Sequence, residues 1–185
     1  HGYLLLDGCG SPITGYISWQ DERALARGIY DTYPFEVAPE TGSSKKPNLP
    51  AISLYAMEIL DPPTMRKARE FCTLGSYLAR CLTGVNASHI TDLAPTGMYH
   101  ALTGGLLSST PLIMPQVSMA FAPVGEYEGA KVYSAVGDQQ ASIMGSTLKP
   151  NEYLLNLGTA AQMCLTCESP AYGDFESRPY FDGST

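Results

Sequence analysis

Two turns in the second half of the chain carry residues that could do chemistry. The apolar run 132–136 ends at Gly137-Asp138-Gln139-Gln140, and the run 153–157 ends at Gly158-Thr159-Ala160-Ala161. An apolar run that breaks at glycine beside a polar residue is typical of a buried strand that presents a side chain to a cleft. The first turn offers a carboxylate that could accept a proton, and the second offers N–H groups and a hydroxyl that could bind phosphate oxygens. Together they suggest phosphoryl transfer.

Each turn also has a structural explanation. An aspartate after a strand and a glycine is more often a turn or N-cap residue, and a Gly-Thr turn between strands is usually structural. No lysine follows Gly158 at the spacing of a Walker loop. If the protein is a kinase acting on an alcohol, Asp138 would accept the hydroxyl proton, which contributes roughly 10²–10⁴ in rate.

Cysteines and histidines show no metal-binding spacing, and no metal site is predicted. Cys164 and Cys167 form a C-x-x-C pair, but residues three apart in a strand face opposite sides of a sheet. They are therefore predicted to pack in the core instead of binding zinc or forming a disulfide. His89 and His100 lie in polar surroundings and are predicted to be surface or capping residues.

A W-x-D-x-R sequence, Trp19 to Arg23, lies at a predicted strand-to-helix junction. A packed tryptophan with a local ion pair between Asp21 and Arg23 is slightly preferred over a role in substrate binding.

Composition limits the class of protein. The chain has 185 residues, of which 44% are hydrophobic and 16% charged, which is globular and long enough for one core or parts of two. A net charge of −7 without a basic patch argues against nucleic acid as a partner. No apolar run approaches the roughly 20 residues of a membrane-spanning helix. Five scattered cysteines fit a reducing compartment, so a cytoplasmic α/β protein is predicted. Both ends look cut, as expected for an internal segment of a longer protein.

Local patterns predict the elements of the first half. Residues 2–7 and 13–19 are expected to form a hairpin and residues 21–30 a helix, followed by an exposed loop over 31–50. An i, i+3, i+4, i+7 apolar stripe predicts a helix over 51–60. Asp61 is the expected N-cap of a second helix that continues through Cys72. A third helix over 73–82 is expected to end at Thr83-Gly84.

The second half has weaker signals. Residues 85–111 suggest only short turns and helices, and 112–129 suggest a surface connection. A strand leading to Asp138, a helix over 139–145, a hairpin of 153–157 with 162–167 and a last strand over 178–181 complete an α/β chain with a mixed sheet. The best domain boundary lies near residue 149.

Taken in order, several motifs make the chain resemble the FGGY family of carbohydrate kinases. The specific part is Gly137-Asp-Gln-Gln-Ala141, similar to the catalytic Gly-Asp-Gln motif, followed at the right spacing by Leu157-Gly-Thr159, similar to the second phosphate loop. Weaker matches are His1-Gly2, the W-x-D-x-R stretch and the helix that ends in Leu82-Thr-Gly84.

The resemblance implies an actin-like, ribonuclease H-like fold of two domains with sugar and ATP in the cleft between them. Residues 1–148 would be the C-terminal portion of the sugar-binding domain, and 149–185 the start of the ATP-binding domain. By position, Asp138 becomes the catalytic base. His1, Gln139 and Lys46 (or its neighbour Lys45) become sugar-binding residues, and Gly158 and Thr159 become phosphate-binding residues.

The implied reaction is ATP- and Mg²⁺-dependent phosphorylation of a ketose resembling sedoheptulose or xylulose. The His-Gly start and the strand over 178–183 favour a ketose. A glycerol or polyol kinase of the same family and a non-catalytic sugar- or nucleotide-binding relative are the alternatives. A homodimer is one option for the assembly. The family's Asp-x-Gly-Thr loop is absent from these residues, and Ala160 replaces a frequent serine. The 185 residues alone are therefore expected not to catalyse.

Overall fold

The computed structural model describes residues 2–34, 40–107, 109–149, 151–158, 161–169, 173–181 and 185. The helices are α1 (Arg23–Ala26), α2 (Pro50–Leu60), α3 (Pro62–Lys67), α4 (Leu74–Thr83), α5 (Ile90–Leu93) and α6 (Asp138–Gly145), with 3-10 turns at Tyr30–Thr32 and Ala94–Thr96. The strands are β1 (Tyr3–Leu6), β2 (Glu70–Thr73), β3 (Ala87–His89), β4 (Gln116–Ser118), β5 (Pro123–Tyr127), β6 (Ala130–Tyr133), β7 (Leu154–Leu157) and β8 (Ala161–Cys164).

The strands pair in twos, with both directions present. β1 pairs with β2, β5 with β6 and β7 with β8, all antiparallel, whereas β3 and β4 are parallel. Backbone bridges extend two of these pairs: Ile113 adds to β2, and Ala135 adds to the free side of β3. The predicted α/β class with mixed strand directions is confirmed.

The main core lies between the β1–β2 pair and the helices around it. Tyr3 and Phe71 face each other with ring centroids 5.1 Å apart, and both are almost fully buried. Residues of α2 and α5 pack on the same cluster. A smaller cluster joins α1 to the other face of α2.

Three helix predictions are confirmed because their signals are local. α2 covers the predicted 51–60 stripe, and the Asp61 carboxylate accepts the N–H of Thr64 as the N-cap of α3. α4 ends at Gly84, which has φ 79°. This left-handed conformation is one that glycine adopts without a steric penalty.

Other local predictions are wrong because tertiary contacts outweigh local preference. The helix after Asp61 ends at Lys67 instead of continuing through Cys72, because 70–73 forms β2 and pairs with β1. The helix predicted over 21–30 is a single turn, α1. The second arm of the first hairpin contributes only bridges, such as Ile17 to Tyr3.

Burial also differs from the prediction in several segments. The loop over 31–50 is not wholly exposed, since Thr41 and Ser43 are fully buried. The surface connection over 112–129 contains β4 and β5. The strand before Asp138 is not buried: β6 is mostly exposed, and burial begins at Ser134. Residues 178–181, all described, form no strand. In the part of the chain that the structure describes, no helix has the length and apolar character needed to cross a membrane.

Candidate functional site

Asp138 is the first residue of α6, directly after the N-cap Gly137. Its side chain is exposed, and Oδ1 accepts the N–H of Gln139 at 2.8 Å. A carboxylate in the first turn of a helix is stabilised by the helix dipole. The Asp138 carboxylate is therefore accessible at the surface, directly after the buried Gly137.

The segment that leads to Asp138 is anchored on β3. The N–H of His89 donates to the Ala135 carbonyl at 2.9 Å. The Ser88 hydroxyl oxygen lies 3.1 Å from the same carbonyl oxygen and 2.7 Å from Asp92 Oδ2. Two residues later, the buried Gly137 donates its N–H to Thr91 Oγ1 at 3.0 Å. The start of α6 is thus fixed to the buried backbone and side chains of residues 88–91.

A cavity of about 560 Å³ lies beside α6, within the size range of small-molecule sites. Gln139 and Gln140 of α6 line one wall of the cavity. The opposite walls come from the β7–β8 hairpin and from the segment 175–180. The residue directly after Asp138 therefore faces a cavity formed by segments on both sides of residue 149.

Glu176 is a charged residue in the cavity wall. Its Oε1 accepts hydrogen bonds from Lys46 Nζ at 2.7 Å and from the Ser44 hydroxyl at 2.9 Å, and its Oε2 accepts one from Arg178 at 2.7 Å. Burial acts to raise the pKa of Glu176, but the Arg178 charge and the hydrogen bonds from Lys46, Arg178 and Ser44 outweigh it and lower the pKa to about 2. The carboxylate is ionised at neutral pH and joins loop 41–46 to segment 175–178.

The predicted site residues fall into three groups. Gln139 lines the cavity and follows Asp138, while Lys46 contacts the wall residue Glu176. Gly158 is exposed at the end of β7 and is not one of the described residues that line the cavity. His1 and Thr159 lie outside the described residues.

Sequence reasoning missed Glu176 and Arg178. They are separated from Lys46 by about 130 positions, so no local spacing indicates their association. The only signal is an E-x-R sequence, a pattern too common to select on its own.

His89 is a capping residue, as predicted, but it is fully buried and not on the surface. Its ring centroid lies 5.8 Å from that of Phe121 and 5.4 Å from that of Phe181, and the two phenylalanine rings stack on each other beside it at 4.7 Å. Burial lowers the pKa of His89, against smaller opposing effects of the Met119 carbonyl and Asp92. The neutral imidazole is the favoured form near pH 7.

The W-x-D-x-R stretch contains the predicted ion pair, with Arg23 Nε 2.8 and 2.9 Å from the two Asp21 oxygens. Trp19 is 55% exposed and is not packed. Asp21 and Arg23 line a second, more open cavity of about 570 Å³ beside Tyr16 and Asp61. This cavity contains none of the predicted site residues among its described walls.

The cysteines and the acidic residues form no metal centre in the described residues, where no group of three or more His, Cys, Asp or Glu could hold an ion. Cys164 and Cys167 are free thiols of intermediate burial that line the cavity beside α6, so the prediction that they pack in the core is wrong.

Comparison with known proteins gives curated relatives that are xylulose kinases. None of the protein-family models matches the chain. The xylulose kinase of Streptomyces rubiginosus is 24% identical over 198 aligned residues, which cover 92% of this chain and 40% of that protein. The chain thus spans about 40% of the length of this curated relative.

Solved structures show the same likeness. The xylulose kinase from Bifidobacterium adolescentis superimposes with a TM-score of 0.82 at 15% identity, covering all of this chain and 49% of that one. The Plasmodium falciparum glycerol kinase with ADP gives a TM-score of 0.75 at 15% identity, covering 88% and 37%. These likenesses confirm the actin-like fold of sugar kinases, of which the chain covers part. These relatives and neighbours are carbohydrate kinases, in agreement with the resemblance to the FGGY family that the order of the motifs indicates.

Proposed function

We propose that the protein is an ATP-dependent kinase that phosphorylates a hydroxyl group of a ketose resembling xylulose or sedoheptulose. The observation that supports this most directly is the exposed Asp138 at the start of α6, next to Gln139 in the wall of a cavity of small-molecule size. The xylulose kinase relatives support a sugar as the acceptor.

In the proposed reaction, the Asp138 carboxylate takes the proton from a primary hydroxyl of the sugar as its oxygen bonds to the γ-phosphorus of ATP. The bond from that phosphorus to the bridging oxygen breaks, and a sugar phosphate and ADP leave. In such transfers the attacking and the leaving oxygen lie roughly in line with the phosphorus. Most of the rate enhancement therefore comes from positioning the reactants and stabilising their charge.

The remaining site residues keep the roles that the resemblance implies. Gln139 and His1 would bind sugar hydroxyls, and Gly158 and Thr159 would bind a phosphate of the nucleotide. The Lys46 ammonium pairs with Glu176, which lies in the cavity wall. We therefore propose that Lys46 contributes to sugar binding through Glu176. Mg²⁺ is proposed as the ion that accompanies ATP, since Mg²⁺ is usually held by one or two carboxylates together with substrate phosphates.

The proposed domain boundary near residue 149 agrees with the position of the cavity. Residues 1–148 contribute α6, and residues 149–185 contribute the β7–β8 hairpin and segment 175–180. Sugar and nucleotide would meet between these parts. A cytoplasmic location and a homodimer remain proposals, which fractionation and sedimentation would test.

A glycerol or polyol kinase is the second candidate, favoured by the fold likeness to a glycerol kinase. The other alternative is a sensor that binds sugar and leaves ATP intact.

ADP release by the protein translated from its full reading frame tests the proposal, with sedoheptulose, xylulose, ribulose and glycerol in parallel. We expect a ketose to drive turnover and Asp138→Asn to lower kcat by about 10²-fold or more, because the base is lost. Asp31→Asn, the same change at an exposed aspartate of the first 3-10 turn, is the control and should keep full activity.

Each other outcome selects an alternative. Turnover with glycerol alone would establish the polyol kinase. Binding of a sugar in calorimetry without ADP release would establish the sensor, and equal activity of Asp138→Asn and wild type would remove Asp138 as the base.

A further inference from the structure

A buried hydrogen-bond chain ends at the residue before Asp138. Gly137 is the N-cap of α6, and no side chain caps the helix at this position. Its N–H donates to the Thr91 hydroxyl oxygen at 3.0 Å, across 46 positions of sequence. The location of the Asp138 carboxylate therefore depends on a side chain that belongs to α5.

The contact between the two segments is close. A Cβ on residue 137 would lie 2.7 Å from the Thr91 carbonyl oxygen and closer still to Oε1 of the buried Gln140. Since real Cβ atoms do not approach backbone oxygen so closely, only glycine fits here. The backbone before Asp138 thus lies directly against the backbone of Thr91, with little room for either to shift.

Thr91 is itself held in one orientation. It is fully buried, and its hydroxyl lies 2.9 Å from His89 Nδ1, which also accepts the Thr91 N–H at 3.3 Å. Nδ1 is therefore the acceptor, so the hydroxyl donates its proton to the ring and leaves its oxygen to the Gly137 N–H. The His89 ring is fully buried and packs beside the stacked rings of Phe121 and Phe181.

We infer that Thr91 is a positioning residue for phosphoryl transfer: its hydroxyl, oriented by His89, fixes the Gly137 amide and thereby the Asp138 carboxylate. The inference rests on the proposed role of Asp138 as the base. Thr91 touches no reacting group; it acts through the backbone of Gly137.

The test compares Thr91→Val, which removes the hydroxyl at nearly constant volume, with Thr91→Ser, which keeps it. We expect Thr91→Val to lower kcat by about 10–100-fold, because a displacement of the order of 1 Å in a reacting group can cost 10²-fold. The KM for the sugar should stay within about threefold of wild type if binding is unaffected. Thr91→Ser should recover most of the turnover.

Thr96→Val is the matched control. Thr96 is also fully buried, and its hydroxyl donates to the Leu93 carbonyl at 2.6 Å and accepts the Met98 N–H. Its hydrogen bonds are local and do not reach α6. Loss of stability should therefore be similar in the two valine variants, whereas kcat per folded molecule should fall only in Thr91→Val.

Hydrogen exchange of peptides that contain Gly137 gives a readout besides activity. The Gly137 amide should exchange slowly in wild type and Thr96→Val and faster in Thr91→Val. If Thr91→Val does not fold, Thr91→Cys replaces it, since a thiol is a weak acceptor.

A kcat in Thr91→Val equal to that of Thr96→Val overturns the inference, whatever the exchange shows. If wild type transfers no phosphoryl group, the proposed function fails separately. Exchange then decides alone: faster exchange of Gly137 in Thr91→Val supports the positioning contact, and unchanged exchange overturns it.

Discussion

Glu176 should make the stability of the protein depend on pH in the acidic range. Its carboxylate accepts hydrogen bonds from Ser44, Lys46 and Arg178, and the Ser177 N–H donates to the Gly42 carbonyl at 3.0 Å beside it. These contacts connect two segments that are far apart in sequence. Replacing Glu176 by glutamine removes the charge and leaves two cations without their partner.

The magnitude follows from the pKa of Glu176. Burial opposes ionisation, but the Arg178 charge and the donated hydrogen bonds lower the pKa from its ordinary value of 4.5 to about 2. At about 1.4 kcal/mol per pKa unit this is at most ~3.5 kcal/mol of folding free energy. The side chain is 24% exposed, and solvent screens such pairs, so we expect about 1–2 kcal/mol.

The sign follows from proton linkage. The folded-state pKa of Glu176 lies below the unfolded one, so the unfolded state binds more protons between the two values. The stabilisation is complete above the unfolded pKa, from about pH 5 upward, and is lost as the pH falls through 4.5 towards 2.

Urea unfolding at pH 7, 5, 4 and 3 measures this. We expect Glu176→Gln to be less stable than wild type by about 1–2 kcal/mol at pH 7, with the gap narrowing below pH 4.5 as wild-type Glu176 is protonated in the unfolded state. Glu58→Gln, the same change at an exposed residue of α2, is the control and should follow wild type throughout. A gap that is absent at pH 7, or that stays constant down to pH 3, would refute the reasoning.

Two further predictions concern local structure. Gly42 and Gly28 both have left-handed φ values, 66° and 67°, but a Cβ on Gly42 would overlap the Ser177 carbonyl oxygen, whereas nothing lies within 4 Å of one on Gly28. Gly28→Ala should therefore cost about 1–2 kcal/mol from backbone strain alone, and Gly42→Ala clearly more; equal losses of stability in urea unfolding would contradict the contact. Asp61→Ala should lower the free energy of unfolding by about 1 kcal/mol through loss of the α3 cap, and an unchanged urea midpoint would show that the cap is dispensable.

The sequence by itself determined the features whose causes lie within a few residues. The apolar stripe of α2, the Asp61 cap and the Gly84 stop all act over one or two helical turns. The local sequence is therefore sufficient to predict these helices and their ends. The order and spacing of the two glycine turns were sufficient to indicate the family, because motif spacing is a property of the sequence alone. The helix predicted over 139–145 is α6, which begins one residue earlier, and the hairpin predicted for 153–157 with 162–167 is the β7–β8 pair.

Only the tertiary structure decided the features that depend on distant partners. Residues 70–73 have a neighbouring helix on each side, yet they form β2 because β1 and Ile113 supply backbone partners. His89 is polar by type but fully buried, because it caps α5 and packs beside the stacked rings of Phe121 and Phe181. The Gly137–Thr91 and Glu176–Lys46 contacts join residues 46 and 130 positions apart. The residues around one partner carry no signal that identifies the other partner. Such a contact can therefore be seen only in the folded structure.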